Sequence, residues 1–186
     1  RSQLPVHAEL RVASARIAGP GLILWASSTG NAEGLAAQCA QQLKQAGQTV
    51  RLAAMAGMTP ADLTKTRRVL LIASTFGDGD APDAAAPFWH ALQQDNAPRM
   101  EGVSYAVLAL GDANYDRFCG FGKQLDARFA ALGAQALAAR VDCDADYQAS
   151  ATAWLQMIAA RLEGEGVAVE EKVVEKPVVE VGFSRN

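Results

Sequence analysis

The sequence predicts an α/β fold, a doubly wound parallel sheet of five strands in the order 2-1-3-4-5 with helices on both faces. The candidate strands are continuous apolar runs, which is typical of parallel strands buried on both faces. Helical patterns alternate strictly with these runs, and such βαβ connections produce a parallel sheet. With 186 residues, 50% of them hydrophobic, the chain is long enough to fill one such core.

Five segments are predicted as strands. The apolar runs Leu22–Ala26, Val69–Ala73 and Tyr105–Leu110 are the strongest, and Val50–Ala54 and Ala136–Val141 are weaker. Doubly wound sheets bind ligands beyond the carboxyl ends of their strands, where the winding direction reverses. A site is therefore expected in the loops that follow the first, third and fourth strands.

The predicted helices carry apolar residues at three- to four-residue spacing, which places those residues on one buried face. Glycine follows two of these helices, as it often does at a helix end. The patterns are Leu35, Cys39 and Leu43 before Gly47; Phe88, Trp89 and Leu92 beside Pro82 and Pro87; Leu125, Phe129 and Leu132 before Gly133; and Ala151, Trp154, Leu155, Ile158 and Leu162.

Net charge and residue counts argue against several classes of function. A net charge of −3 and a pI near 5.4 do not favour nucleic acid or an anionic membrane as partner. His7 and His90 are the only histidines, which argues against a histidine metal site or a Ser–His–Asp triad. Cys39, Cys119 and Cys143 lack metal-ligand spacing and are expected to be reduced thiols of a cytoplasmic protein. No apolar run approaches the roughly 18 to 20 residues of a membrane span.

The loop after the first strand is rich in hydroxyl groups and has no lysine or arginine; its residues are Ser27, Ser28, Thr29, Gly30, Asn31 and Ala32. A helix begins here, and helix N-termini attract anions through unpaired N–H groups and the helix dipole. The loop lacks the GKS or GKT of a triphosphate site and the GxGxxG of a dinucleotide site. It suits a single monoester phosphate, although the same residue types also form ordinary helix N-caps.

The loop after the third strand combines glycine with one aromatic residue; its candidate residues are Ser74, Thr75, Phe76 and Gly77. Glycine lets the backbone pass close to a flat ligand, and Phe76 is placed to cover a ring face. The alternative is an ordinary turn with aspartate and glycine in their usual positions. That alternative does not account for the phenylalanine.

The loop after the fourth strand brings two more aromatic residues, Tyr115 and Phe118, to the same edge of the sheet. One aromatic residue there is ordinarily part of the core, but aromatic residues on two neighbouring loops suit a planar ligand. A phosphate-binding loop beside two loops that carry aromatic residues predicts a site for a phosphorylated flavin. The candidate residues are Leu110, Gly111, Asp112, Ala113, Asn114, Tyr115, Asp116, Arg117, Phe118 and Cys119.

Three segments of the chain resemble the FMN loops of the flavodoxin-like domain in diflavin reductases. They are SSTGNAEGLA, STFGDGDAPDAA and LGDANYDRFCGFGKQLDARFAALGA. The stretch from Leu110 to Trp154, with RVDCDADYQASATAW, is most similar to the flavoprotein subunits of bacterial sulfite reductases. NADPH–cytochrome P450 reductases are more distant. The resemblance covers Gly21 to Leu162 and implies a flavodoxin-like fold.

The resemblance implies a role for each loop. The residues from Ser27 to Ala32 would hold the FMN phosphate, and those from Ser74 to Gly77 would cover one side of the isoalloxazine ring. The residues from Leu110 to Cys119 would supply the other side, with Tyr115 as the main stacking ring. Phe76 stands where a tyrosine is usual in the P450 reductases, so stacking is kept without the hydroxyl. A more distal acidic contact of the family has no secure counterpart among Asp142, Cys143 and Asp144.

The same resemblance implies a domain plan and partners. Residues 1–20 would be an N-terminal arm, residues 21–163 the FMN-binding domain, and residues 164–186 a linker toward an FAD- and NADPH-binding reductase module. The alternative for the tail is a natural C-terminus, and a membrane anchor before the arm stays open. FMN would take electrons from that module, in cis or in trans, and pass them to a metal-containing acceptor, with sulfite reductase haemoprotein as the best candidate.

The sequence also bears on three other classes of function. A flavin-free docking module with the same fold stays open. A signalling receiver would need acidic residues after the first strand and an aspartate after the third, where this chain has Ser27-Ser28 and Ser74-Thr75. A hydrolase would need a nucleophile elbow, which the sequence lacks.

Aspartates are concentrated in the two ring loops: Asp78, Asp80, Asp83, Asp112 and Asp116. Our hypothesis is that their field disfavours the anionic, fully reduced flavin and steers a basic partner to the flavin edge. The alternative is an ordinary solvated acidic surface.

Overall fold

The computed structural model describes residues 21–170, and within them residues up to Ile158 belong to one compact unit. The strands are β1 (Gly21–Ala26), β2 (Val50–Ala54), β3 (Arg68–Ala73), β4 (Ser104–Leu110), β5 (Gln135–Ala136) and β6 (Val141–Cys143). The helices are α1 (Asn31–Gln45), α2 (Pro60–Leu63), α3 (Ala86–Leu92), preceded by a 3₁₀ turn at Asp83–Ala85, α4 (Gly120–Ala131) and α5 (Gln148–Glu170).

The strands form one parallel sheet in the order β2-β1-β3-β4-β5, with β6 also paired to β4. The predicted fold class and strand order are therefore confirmed. Ala26 pairs with Ala73 and Ala73 pairs with Ala109, so the ends of β1, β3 and β4 are level. Because these strands are parallel and in register, the three loops of interest leave the sheet at the same edge.

The predicted fifth strand, Ala136–Val141, is wrong as a continuous element. The structure divides it into β5 and β6, which both pair with β4. Tyr105 pairs with Ala136 and Leu108 pairs with Val141. The segment from β5 to β6 therefore has more residues between these two pairs than β4 has. The residues between β5 and β6 leave the ladder; among them Leu137 is buried in the core and Arg140 contacts Asp126 of α4.

Two apolar layers enclose the sheet, as the helical patterns predict. The residues predicted for the buried faces of α1 and α5, including Leu35, Leu43, Trp154 and Ile158, are at most 4% exposed. The chain turns after α1 at Gly47, whose φ of 89° lies in the left-handed region that glycine adopts most readily. Phe88, Phe121 and Phe129 from α3 and α4 fill the layer on one face of the sheet.

The sequence interpretation missed α2, a single helical turn between β2 and β3. The Asp62 carboxylate accepts hydrogen bonds from the Thr59 N–H at 3.0 Å and the Thr59 hydroxyl at 3.1 Å. These bonds lower the pKa of Asp62. The signal was present, because Thr-Pro-Ala-Asp has a capping residue, proline at the first helical position and an acidic residue at the third.

The last helix extends further than the sequence suggests. Helix α5 continues to Glu170, beyond the predicted domain boundary at residue 163, as expected when helical hydrogen bonding propagates from an established helix. The predicted arm, residues 1–20, and the rest of the predicted linker, residues 171–186, lie outside the described residues. None of the helices between residues 21 and 170 combines the length and hydropathy needed to cross a membrane.

An ionic cluster holds the sheet edge to α4. Arg140 contacts the Asp126 carboxylate at 2.6 Å through Nη1 and the Asp142 carboxylate at 2.8 Å through Nε. The Tyr105 hydroxyl donates to the other oxygen of Asp126 at 2.6 Å, and burial together with this bond raises the pKa of Tyr105. The Arg140 side chain is only 27% exposed, so water screens these contacts poorly.

Replacing Arg140 by methionine should lower the free energy of unfolding by about 1 to 2 kcal/mol, because Asp126 and Asp142 lose their charged partner. Urea denaturation measures the change. Arg99 provides a control, since its pair with Glu101 is about 60% exposed and should be worth less than about 1 kcal/mol. Equal losses for the two methionine variants would contradict the proposed role of the cluster.

Candidate functional site

A cavity of about 500 Å³ lies at the carboxyl edge of the sheet. The loops after β1, β3 and β4 line it together, and a fourth segment after β6 completes its wall. The lining residues are Ser28, Thr29, Asn31, Ser74, Thr75, Phe76, Gly77, Leu110, Gly111, Asp112, Tyr115, Arg117, Phe118, Cys119, Asp144, Ala145 and Tyr147.

The first loop forms a tight turn at the N-terminus of α1. The Gly30 N–H donates to the Ser27 hydroxyl at 2.9 Å, and the φ of Gly30 is 97°. Within the described part of the chain, no side chain caps the first turn of α1. The first-turn N–H groups have no acceptor inside the helix, and they add to the positive end of the helix dipole. Ser28, Thr29 and Asn31 face the cavity beside them, which is an arrangement suited to an anion.

Hydrogen bonds and close packing connect the loop after β3 to the elements around the loop after β4. The Thr75 hydroxyl donates to the Leu110 carbonyl at 3.0 Å, and Gln124 Nε2 donates to the Gly79 carbonyl at 3.0 Å. Gly79 and Gly120 are in close contact, since a Cβ at Gly120 would lie 2.8 Å from the Gly79 Cα. Because Gly120 and Gln124 belong to the start of α4, these contacts join the loop after β3 to the end of β4 and to α4.

Phe76 and Tyr115 are exposed aromatic residues on the walls of this cavity. Phe76 is 50% exposed and Tyr115 is 49% exposed, unlike the buried aromatic residues of the core. Exposed rings that line one cavity offer apolar faces for a planar ligand. Phe118 also lines the cavity but is packed against the core, with the Lys123 ammonium 5.5 Å from its ring centroid. Tyr115 is therefore the more available ring of its loop.

Six predicted site residues do not line the cavity: Ser27, Gly30, Ala32, Ala113, Asn114 and Asp116. Several of them shape the loops instead. Ala32 is fully buried, and the Asn114 N–H donates to the Asp112 carboxylate at 2.9 Å. Their predicted part in ligand binding stays a prediction.

The sequence analysis left the segment with Asp144, Ala145 and Tyr147 out of the site: it named Asp144 only beside an unassigned acidic contact and did not consider Ala145 or Tyr147. These residues follow β6, and Cys143 at the end of β6 pairs with Leu110 at the end of β4. The segment therefore leaves the sheet at the same edge as the other loops. The sequence contained a signal for it, because the residues after the fifth strand also follow the carboxyl end of a strand, where such sheets bind ligands.

Charges at the rim of the site partly cancel. Arg117 lies 3.9 Å from an Asp78 carboxylate oxygen and 3.5 Å from an Asp80 carboxylate oxygen. Arg117 Nε also donates to the Asp78 carbonyl at 3.1 Å. The guanidinium thus joins the loop after β4 to the loop after β3 and reduces the negative field of Asp78 and Asp80.

Cys119 lies at the bottom of the third loop as a buried thiol. Its Sγ is 3.5 Å from the carbonyl oxygens of Ala109 and Cys143, and its φ of 56° is left-handed. Burial, with the nearby Asp142 charge, raises the pKa of this thiol from 9.0 to about 12. Burial likewise raises the pKa values of Cys39 and Cys143 to about 11. The geometry and charge state favour a packing role for Cys119 over a redox role.

All three thiols should resist alkylation at pH 8, because they are buried and protonated. Iodoacetamide should label the native protein at least roughly tenfold more slowly than urea-unfolded protein. The raised pKa values stabilise the fold fully below pH 9.0, and this contribution is lost as pH rises through about 11 to 12. Equal labelling of native and unfolded protein would contradict the buried placement.

The fold and the site together define a class. A parallel sheet of order 2-1-3-4-5, with an uncapped helix N-terminus and two aromatic loops at its carboxyl edge, is the architecture of flavodoxin-like proteins. The family model described as Flavodoxin matches residues 23–154. The chain belongs to the flavodoxin family.

Solved structures agree with this assignment. A flavodoxin of Streptococcus pneumonia TIGR4 superposes with a TM-score of 0.70 at 26% identity, over 79% of this chain and 99% of that chain. A flavodoxin variant of Pseudomonas aeruginosa gives 0.67 at 29% identity, over 78% of this chain and 100% of that chain.

Curated relatives confirm the resemblance to sulfite reductase flavoproteins. The sulfite reductase [NADPH] flavoprotein alpha-component of Bacillus subtilis (strain 168) is 38% identical over 165 residues, which are 88% of this chain and 27% of that protein. The protein of the same name from Shewanella sp. (strain MR-4) is 43% identical over 143 residues, 77% of this chain and 24% of that protein. The chain thus spans about a quarter of the length of these relatives.

Proposed function

We propose that this chain binds FMN and serves as an electron-transfer domain. One observation carries the proposal: a single cavity joins the uncapped N-terminus of α1, which lacks a lysine, to two exposed aromatic residues, Phe76 and Tyr115. A monoester phosphate and a planar ring are the two chemical features that such a cavity can recognise together.

The residues present are suited to the group. Ser28, Thr29 and Asn31, with the first-turn N–H groups of α1, would hold the phosphate. Phe76 and Tyr115 would cover the ring, and the tied loops would keep water from its faces. FMN, when bound, supplies the one- and two-electron chemistry, while the protein binds, orients and tunes it. The remaining predicted residues of the three loops would support this placement through the backbone.

The partners are proposed from the relatives. Their name contains both NADPH and sulfite reductase, which supports an NADPH-binding reductase module as electron donor, in cis or in trans. The resemblance to diflavin reductases adds FAD as the flavin of that module. A metal-containing protein would accept the electrons, with a sulfite reductase haemoprotein as the first candidate. In this proposal residues 21–163 form the FMN-binding domain, residues 164–186 lead toward the reductase module, and the domain works in the cytoplasm.

Titration of flavin-free protein with FMN and with riboflavin tests the proposal. FMN should bind and riboflavin, which lacks the phosphate, should bind at least roughly a hundredfold more weakly, because a charged phosphate makes several charge-assisted hydrogen bonds. Protein purified with its flavin should be yellow. Failure to take up FMN would instead support a flavin-free docking module, and equal affinity for both flavins would contradict the phosphate seat.

Asp78 and Asp112 should lower the potential at which bound FMN takes its second electron, since their charge disfavours the anionic reduced form. Changing both to asparagine should raise that potential by roughly tens of millivolts at low salt, and less at high salt. Redox titration of the holoprotein measures the shift. Asp95→Asn is the control, because Asp95 is exposed and does not line the cavity. An unchanged potential would mean that these aspartates form only an ordinary solvated acidic surface.

A further inference from the structure

The loop that carries Tyr115 is held by hydrogen bonds from its own backbone. The Asn114 N–H donates to the Asp112 carboxylate at 2.9 Å, and the Tyr115 N–H donates to the Asp112 carbonyl at 3.1 Å. The Ala113 N–H points the other way and donates to the Asp144 carboxylate at 3.0 Å. Of these three successive N–H groups, only that of Ala113 bonds to another segment; farther along the loop, the Arg117 N–H donates to the Asp78 carboxylate at 3.3 Å.

The exposed carboxylate of Asp144 accepts two backbone hydrogen bonds. The same oxygen that accepts from Ala113 also accepts from the Ala145 N–H at 2.8 Å, and these two bonds lower the pKa of Asp144. The carboxylate is therefore ionised at neutral pH, which strengthens both bonds. It joins the segment after β6 to the loop after β4 at the point where both line the cavity.

The strand that presents Asp144 is anchored from below. The Gly111 N–H donates to the Cys143 carbonyl at 2.9 Å, which aligns the start of the Tyr115 loop with the end of β6. Arg140 joins Asp142 on β6 to Asp126 on α4. Asp144 therefore directly follows a strand that is held near both its ends, and its carboxylate accepts the hydrogen bond from the Ala113 N–H.

We propose that Asp144 is a positioning residue for flavin binding: its carboxylate holds the Ala113 N–H and thereby sets the orientation of the Tyr115 ring at the cavity wall. The proposal rests on the proposed function and adds a residue from a fourth segment to it. Asp144 acts through the loop, so its effect comes from geometry rather than from a contact with the ring. An amide oxygen at the same position can accept the same two bonds, whereas a methyl group cannot.

Three variants separate this role from a general effect of charge: Asp144→Ala, Asp144→Asn and Asp146→Ala. Asp146 is the matched control, because it is exposed in the same segment and forms no hydrogen bond to either loop among residues 21–162. Affinity for FMN and fluorescence of the bound flavin are measured for each holoprotein, since a stacked tyrosine ring quenches the flavin. Amide hydrogen exchange at Ala113 is measured in flavin-free protein.

We expect Asp144→Ala to weaken FMN binding roughly tenfold, to brighten the bound flavin and to speed exchange at Ala113. Asp144→Asn should restore most of all three properties, and Asp146→Ala should resemble the wild type. If wild-type protein takes up no FMN, the proposed function fails and this inference fails with it. If wild type and Asp144→Ala bind FMN equally well and with equal fluorescence, the inference alone is overturned.

Discussion

Gly122→Val should cost about 3 kcal/mol of folding free energy, the largest loss of stability that we expect from a single change in this chain. Gly122 lies in α4 where the helix crosses β4. A Cβ at this position would overlap the Ala109 Cβ and lie 3.1 Å from the Ala109 Cα. Ala109 belongs to a central strand that pairs with β3 on one side and β6 on the other, so its backbone has no room to move. Valine would therefore push α4 away from the sheet.

Gly34 provides the matched control for this change. It also lies within a helix, α1, but an added Cβ there meets no atom within 4 Å beyond its chain neighbours and the backbone of its own helix. Gly34→Val should change the free energy of unfolding by less than about 0.5 kcal/mol. Urea denaturation of both variants isolates the contact between α4 and β4 from the helix propensity of valine. Similar stabilities would mean that the close approach of helix and strand has little energetic weight.

Tyr115→Ala should weaken FMN binding roughly 30- to 100-fold, because it removes both the buried area and the stacking of an aromatic ring. Phe76→Ala should weaken it less. The loop of Tyr115 contributes seven of the residues that line the cavity, and the loop of Phe76 contributes four, so Tyr115 belongs to the larger wall. Fluorescence titration of flavin-free protein gives both dissociation constants.

Conservative changes sharpen this comparison. Tyr115→Phe keeps the ring and should bind FMN nearly as well as the wild type, which separates stacking from the hydroxyl. Phe76→Tyr should bind FMN within a fewfold of the wild type. If Phe76→Ala weakens binding more than Tyr115→Ala, the principal stacking face has been assigned to the wrong loop.

Most of the architecture could be predicted from the sequence because the information is local. Continuous apolar runs marked β1, β3 and β4, since a strand covered on both faces has no polar side. Four-residue spacing marked the buried face of α1, and glycine marked its end at Gly47. The chemical character of the site was local as well: hydroxyl groups without a lysine at a helix start, and aromatic residues on loops that a parallel sheet brings to one edge.

Contacts between distant parts of the chain were decided only by the tertiary structure. Arg140, which lies between β5 and β6, contacts Asp126 of α4, and α4 approaches the sheet closely where Gly122 meets Ala109. The bond between Asp144 and Ala113 spans 31 residues. Residue type and spacing report what each segment prefers by itself, whereas the geometry of such pairs arises only when packed elements bring them together. The sequence by itself therefore determined the kind of sheet and the chemistry of its loops, and the tertiary structure determined how those loops are held.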